Sequence, residues 1–291
     1  MTCSFRKNPI KQIYNMESKT DLFIFADSSS VGCAKIWTRE CGIRDKVEFE
    51  YIDYDMSVYA IPHDLSDSEI KRCYDTAFYL HLGDGDFERI RAIDFASYNR
   101  VVVWHAWDSK SLLVLFFICH VCNTDVFHIN IGEQPEFVNS GMRYLCHADI
   151  GFMTENAFYK QIKLVTNEER EKYDKIWQNL YGSDTLPKIA MGYDVICKEQ
   201  AFVEDILYKH IKKEAINVYG IIGETIANYT KDFCFCPFYL YYILLGLVKA
   251  GKAEIVNPKI REGQHLDYYD AATFINGIDV SGKYNFAVRL T

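Results

Sequence analysis

Residues 104–108, Trp-His-Ala-Trp-Asp, put an imidazole, two indoles and a carboxylate into one short stretch of chain. Histidine is the side chain most easily poised for proton transfer near neutral pH, and a carboxylate three residues on could orient it. His105 and Asp108 are therefore the candidate catalytic pair, with Trp104 beside them as a candidate ligand contact. The alternative for the same residues is a satisfied polar histidine beneath a loop and an aspartate capping a helix. A second cluster, Asp27-Ser28-Ser29-Ser30-Val31-Gly32, offers hydroxyls and backbone N–H groups at a helix start. Such a turn suits a phosphate or carboxylate, although it lacks the glycines of a P-loop or a dinucleotide fingerprint. Asp27, Ser28 and Ser29 are candidate ligand contacts, with plain serine capping as the alternative. A third cluster holds Asp53, Asp55, Ser57, His63 and Asp64. Paired acids there could serve a cation or acid–base work, but the spacing is not that of metal ligands, and a solvated loop is the alternative. From this cluster Asp55 and Ser57 join the candidate site. Cys119-His120-Val121-Cys122 has no second CxxC to complete a tetrahedral set, and Cys234 and Cys236 do not supply one. These cysteines read as buried structural thiols, no metal site is predicted, and the sequence names no cofactor.

The elements that would position these residues follow from the hydrophobic pattern. Residues 101–104 are an apolar, β-branched run that reads as a buried strand, and 110–122 as a helix opened by Asp108 or Ser109. Residues 21–27 form a second buried strand, followed by a helix over 31–41, and residues 47–54 alternate as a strand. Helices are predicted near 69–82 and 87–96, and a strand at 125–131. Strands alternating with helices imply an α/β fold, with a mostly parallel sheet flanked by helices. In such sheets ligands bind in the turns after the strands' carboxyl ends, where the three clusters fall.

Composition bounds the rest. A chain of 291 residues that is 49% hydrophobic and 25% charged can bury a large core. Its 21 tyrosines and 19 phenylalanines read as core and interface residues. Residues 1–150 hold 22 acidic against 15 basic side chains, nearly all of the net charge of −8. An acidic half is poorly suited to a phosphate polymer, so nucleic acid is not the expected partner, while a small anion on backbone N–H groups stays open. No apolar run is long enough to span a bilayer, and the first 20 residues lack the apolar region of a secretory signal. The ten scattered cysteines fit reduced thiols in the cytoplasm.

The pattern changes in the second half. Thr166 and Glu169 fit a capping box, with a helix running to about Leu180. A short hairpin is predicted at 189–197, helices at 199–213, 214–229 and 238–249, and strands at 253–256 and 284–290. Helices followed by a terminal two-stranded ribbon describe a mainly helical domain with a winged-helix-like β-ribbon. Its recognition-position helix, FYLYYILLGLVK, is almost wholly apolar and lacks the Arg, Lys, Asn or Gln face that reads a DNA groove. The predicted organisation is a flexible tail at 1–20, an α/β domain at 21–150 and a helical domain at 151–291, with the boundary inside 133–165.

Several short segments together resemble a known pairing of families. The strand ending Ala26-Asp27-Ser28, the stretch Asp55-Met56-Ser57-Val58-Tyr59-Ala60, and Trp104 with Asp108 shortly after resemble the bacterial domain of unknown function 1835. Glu169-Arg170 with Tyr173, Trp177 and Leu180, Asp205 in the next long helix, and the terminal Val288-Arg289-Leu290 resemble its usual companion, domain of unknown function 3658. The likeness covers about residues 21–290. The chain departs from the pattern at Ala26, Tyr59 and Ala60, where Gly, Gly and Pro are usual, so close backbone approach at those turns does not carry over. The resemblance implies no activity. Within the companion region Asp205 and Arg289 are read as a structural ion pair.

The expectation is a small anionic or phosphate-bearing ligand at the carboxyl ends of the strands. Asp27, Ser28, Ser29, Asp55, Ser57 and Trp104 would bind it, and His105 with Asp108 would move a proton. The alternative is a non-catalytic regulatory or interaction protein whose helical half docks a protein or nucleic acid. The sequence leaves open whether the chain is an enzyme and whether it forms an oligomer.

Overall fold

Residues 21–25, DLFIF, have no polar face, and the strand they form, Asp21–Phe25 (β1), is buried along its length. That is the requirement of a parallel strand covered on both sides. The computed structural model describes residues 19–77, 85–133, 160–184, 187–229, 236–256, 274–275, 278–279 and 287–291. The expected tail up to residue 18, and the expected boundary over 134–159, lie outside the described residues. β1 pairs in parallel with Val47–Tyr51 (β2) on one side and Arg100–His105 (β3) on the other. β3 pairs in parallel with Val126–Asn130 (β4), and Lys163–Leu164 (β5) closes that edge antiparallel to β4. The sheet order is β2-β1-β3-β4-β5, so the α/β class with a mostly parallel sheet is as expected.

The helices between these strands start at side-chain caps. Asp27 caps Ser28–Glu40 (α1), Ser66 caps Asp67–Thr76 (α2), and Asp108 caps Ser109–Val121 (α4). Asp86–Arg91 (α3) begins instead after Gly85, whose φ of 85° needs a residue without Cβ. It stops short of the helix expected to 96, leaving a 3-10 turn at Phe95–Ser97.

Ten of the 13 residues of α4 are buried, so this helix is apolar all round and must be covered on every side. Its cover is Asn167–Leu180 (α5), started by the capping box of Thr166 and Glu169. Phe116 stacks on Tyr173 at 4.8 Å and Phe117 lies against Trp177 at 5.6 Å. The Arg170 guanidinium donates to the carbonyls of Cys119, Cys122 and Thr124, closing the carboxyl end of α4. A hairpin of Lys188–Ala190 (β6) and Val195–Cys197 (β7) then returns to the sheet side, where Lys188 N donates to Ser57 O at 2.7 Å. The α/β unit thus takes structure from beyond residue 150.

A mainly helical unit follows. It runs Gln200–Tyr208 (α6), Ile216–Asn217 (β8), Val218–Tyr229 (α7), Pro237–Lys249 (α8) and Ala253–Val256 (β9), then Phe274–Ile275 (β10), Ile278–Asp279 (β11) and Ala287–Leu290 (β12). β8, β12 and β9 form an antiparallel sheet in that order, and β10 pairs with β11. The terminal ribbon therefore has three strands rather than two, because Ile216 pairs with Val288. The expected Asp205–Arg289 ion pair does not form. Antiparallel register puts Glu254 directly opposite Arg289, and the two pair across the ribbon, while Asp205 is exposed on α6. No helix among the described residues is long and apolar enough to cross a membrane.

Candidate functional site

Parallel pairing brings the carboxyl ends of β1, β2 and β3 to one edge. The chain goes from β1 to β2 on one side and then crosses to β3 on the other, so its direction reverses between β1 and β3. Outside that reversal lies the crevice of an open α/β sheet. Asp27 leaves β1 there, Asp53 and Asp55 leave β2, and Asp108 leaves β3.

Asp27 sits in extended backbone and its carboxylate accepts from Ser30 N and Ser30 Oγ, each at 2.7 Å. Asp53 accepts from Ser28 N at 3.0 Å, tying the β2 end to the start of α1. Asp55 Oδ1 accepts from Ser57 N and Ser57 Oγ at 3.1 and 2.5 Å. Ser57 is fully buried, so it supports Asp55 rather than facing a ligand. Tyr54 N donates to Asp86 at 2.9 Å, and the fully buried Lys188 donates from Nζ to Tyr59 O at 2.8 Å. The loop carrying Asp55 is thus held from α3 on one side and β6 on the other. Burial pushes the Lys188 ammonium down to about 8, a shift that the Cys197 and Asp55 side chains oppose.

Lys110, at the second position of α4, completes the cluster. Burial pulls its ammonium down, but the carboxylates of Asp55, Asp53 and Asp27 outweigh that and hold it above its ordinary value. The ends of β1 and β2 thus carry three acidic side chains to the edge where Lys110 begins α4, near enough to act on its charge. Asp27, Asp53 and Lys110 are half-buried and Ser28 and Ser29 exposed, so the edge meets water. The amino end of α8 lies beside it, with Cys236 in electrostatic reach of Lys110 and Tyr239 in reach of Asp55. Lys110 was legible through one signal only. Apart from His120 it is the sole ionisable side chain of α4 other than its cysteine, and it stands at the mouth of a predicted central strand.

The remaining candidates fall elsewhere. Trp104 is fully buried with its ring 5.8 Å from that of Phe25, a core contact that no ligand reaches. His105 is also fully buried, and Asp108 does not orient it. Asp108 turns instead to its capping task, accepting from Ser111 N at 2.9 Å and Ser111 Oγ at 2.6 Å, and burial raises its carboxyl above the usual range. His105 bonds Ala106 O through Nδ1 at 3.1 Å and His128 Nδ1 through Nε2 at 2.9 Å. The two imidazole planes are nearly parallel, 9° apart, and Tyr193 meets both edge-on. Burial and the neighbouring His128 push His105 down to about 3, so it is neutral at physiological pH.

Among the described residues no group of three or more His, Cys, Asp or Glu side chains is arranged to hold a metal ion. A cavity of about 350 Å³ lies away from the crevice, between α2 and α3, lined by Asp67, Ile70, Lys71, Tyr74, Asp75 and Glu88. Its polar groups are already joined, Lys71 to Asp75 at 2.6 Å and Tyr74 to Glu88 at 2.9 Å. No family model, curated protein or solved structure matches the chain.

Proposed function

We propose that this protein binds a small polar ligand that brings hydrogen-bond donors together with one anionic group, a sugar phosphate being the simplest case, at the carboxyl edge of its parallel sheet. The observation that carries the proposal is the meeting of the carboxyl ends of β1, β2 and β3 at one edge, where Asp53 holds Ser28 N and Asp27, Asp55 and Lys110 leave the same strand ends. Carboxylates accept from ligand hydroxyls or amines, and the ammonium is the one group in the cluster able to attract an anion. Bare phosphate is disfavoured, because the acids at the edge outnumber the lysine and the Ser28 and Ser30 N–H groups of α1 are already taken by Asp53 and Asp27. The segments that resemble domain of unknown function 1835 end at this edge, which supports reading them as site motifs. The ten cysteines keep the cytoplasm as the proposed compartment. No proton transfer is assigned to His105, whose two ring nitrogens are engaged.

Thermal-shift measurements on the full chain test this directly. Ribose 5-phosphate at about 100 times its Kd is expected to stabilise the protein by roughly 2.7 kcal/mol. Inorganic phosphate at the same concentration is expected to leave Tm unmoved. Asp53→Asn keeps an oxygen for Ser28 N but removes the charge, and weakens the sugar phosphate. A panel of sugar phosphates and nucleotides that leaves Tm unchanged would sink the proposal.

A second reading is favoured by the order α6-β8-α7-α8-β9-β10-β11-β12 with sheet order β8-β12-β9, which is like that of a winged helix. The helix in its recognition position, α8, buries Tyr239, Leu240, Ile243, Leu244, Leu245 and Leu247. A protein partner fits such a module better than a DNA groove, which needs polar side chains on that helix.

A further inference from the structure

Two helices start at the carboxyl edge, and their amino ends differ. The start of α1 is closed by the protein's own carboxylates, with Ser28 N bonded to Asp53 and Ser30 N to Asp27. At α4 the cap is incomplete. Asp108 takes Ser111 N through its side chain and Leu112 N through its carbonyl. The N–H groups of Ser109 and Lys110, which have no intrahelical acceptor, meet none among the described residues. One further group is out of place. Ser109 is fully buried, yet its hydroxyl has no hydrogen-bond partner. A buried hydroxyl left unpaired is costly, and such groups mark strain or a missing partner. The Cα–Cβ bonds of a helix tilt toward its amino end, which sets the Ser109 side chain at the start of α4 beside its free N–H groups.

From this we infer that the amino end of α4 is the subsite for the anionic group of the ligand: a phosphate monoester or carboxylate accepting from the Ser109 and Lys110 N–H groups, from Ser109 Oγ, and from the Lys110 ammonium. The inference rests on the small-ligand reading above and names the place where the anion sits. Helix dipole and free N–H groups favour an anion there. The Lys110 ammonium supplies the charge that the acidic edge otherwise lacks, and the Asp108 carboxyl faces Ser111 rather than the anion. The donor-rich part of the ligand is left for Asp27, Asp53 and Asp55.

The test is calorimetric titration of the full chain with ribose 5-phosphate and with ribose, for the native protein and for Ser109→Ala, Lys110→Gln and Asp53→Asn. Ser109→Ala is expected to weaken ribose 5-phosphate about tenfold, the worth of one lost hydrogen bond to a charged group. It is expected to leave ribose unchanged, and to leave the ligand-free Tm the same or higher, because it deletes a hydroxyl that has no partner. Lys110→Gln weakens ribose 5-phosphate in the same direction and serves as the second probe should Ser109→Ala not fold. Native binding of ribose 5-phosphate that Asp53→Asn weakens, and that both α4 variants leave intact, would overturn the subsite while keeping the crevice. If the native chain binds neither compound, crevice and subsite fall together.

Discussion

His105 has both ring nitrogens engaged and no exposed surface, so a proton can enter its ring only by breaking the bond to His128. Ala106 O can only accept, which puts the hydrogen on His105 Nδ1 and makes Nε2 the acceptor of the His128 N–H. The pH dependence follows with a definite sign. In the unfolded chain the imidazole takes up a proton near pH 6.5, whereas in the folded protein it resists until about pH 3. Between those values the unfolded state binds more protons, so stability falls as pH drops through that window. One such proton is worth about 1.4 kcal/mol per pH unit. His128, also depressed by burial, adds to the slope. Urea titrations at pH 7, 6, 5 and 4 should show a steep loss for the native protein and a flatter line for His105→Gln. Parallel lines for the two proteins would remove His105 as the cause. The same residue shows where single-residue reading from the sequence stops. Spacing puts Asp108 three positions from His105, but the start of a helix claims Asp108 for Ser111, and only the pairing of β3 with β4 brings His128 to the imidazole. Asp27 and Asp55, which follow strands directly, were legible without that knowledge.

The helix α4 is the element on which the most other structure depends. It carries Lys110 at its start, ten buried residues along its length, and a carboxyl end closed by an arginine from another helix. The last carbonyls of a helix have no partners within it. Here the Arg170 guanidinium donates to three carbonyls, those of Cys119, Cys122 and Thr124, and so fixes α5 across α4. Arg170→Met keeps much of the stem and leaves those carbonyls unpaired. Hydrogen bonds from a charged donor are worth about 1.5–3 kcal/mol each when lost, and a partly exposed site recovers some of that in water. The expected cost is roughly 2 kcal/mol or more, read as a lower urea midpoint at unchanged m-value, with Arg170→Lys between the two. A loss below about 0.5 kcal/mol, the range of ordinary surface substitutions, would show that α5 is held by its aromatic contacts alone. The capping box of α5 and the strand–helix alternation were readable from residue types, because caps and periodicity are local. The Arg170 cap was not, because it joins residues 46 to 51 positions apart.

At the scale of the whole molecule, residues beyond 150 cover the α/β unit. Without them the exposed face of α4 would include Phe116 and Phe117, whose covers are Tyr173 and Trp177 on α5. The sheet would lose its fifth strand, and the Asp55 loop would lose the Lys188 bonds to Ser57 and Tyr59. A change of pattern near residue 150 is visible in the sequence, but pattern alone does not tell which neighbour the later helix covers. The predicted outcome is that a chain ending at residue 150 aggregates or binds hydrophobic dyes, as exposed apolar surface of that size requires. A chain ending at residue 198 keeps α5, β6 and β7, buries the same face, and unfolds cooperatively. Among the described residues, its crevice loses the neighbours Cys236, at the cap of α8, and Tyr239. If that shorter chain binds ribose 5-phosphate as the full protein does, the helical unit is a separate module beside the site. If it folds but binds more weakly, α8 is a wall of the crevice. Cooperative folding of the 150-residue piece would instead show that α5 and the hairpin are additions to an already closed core.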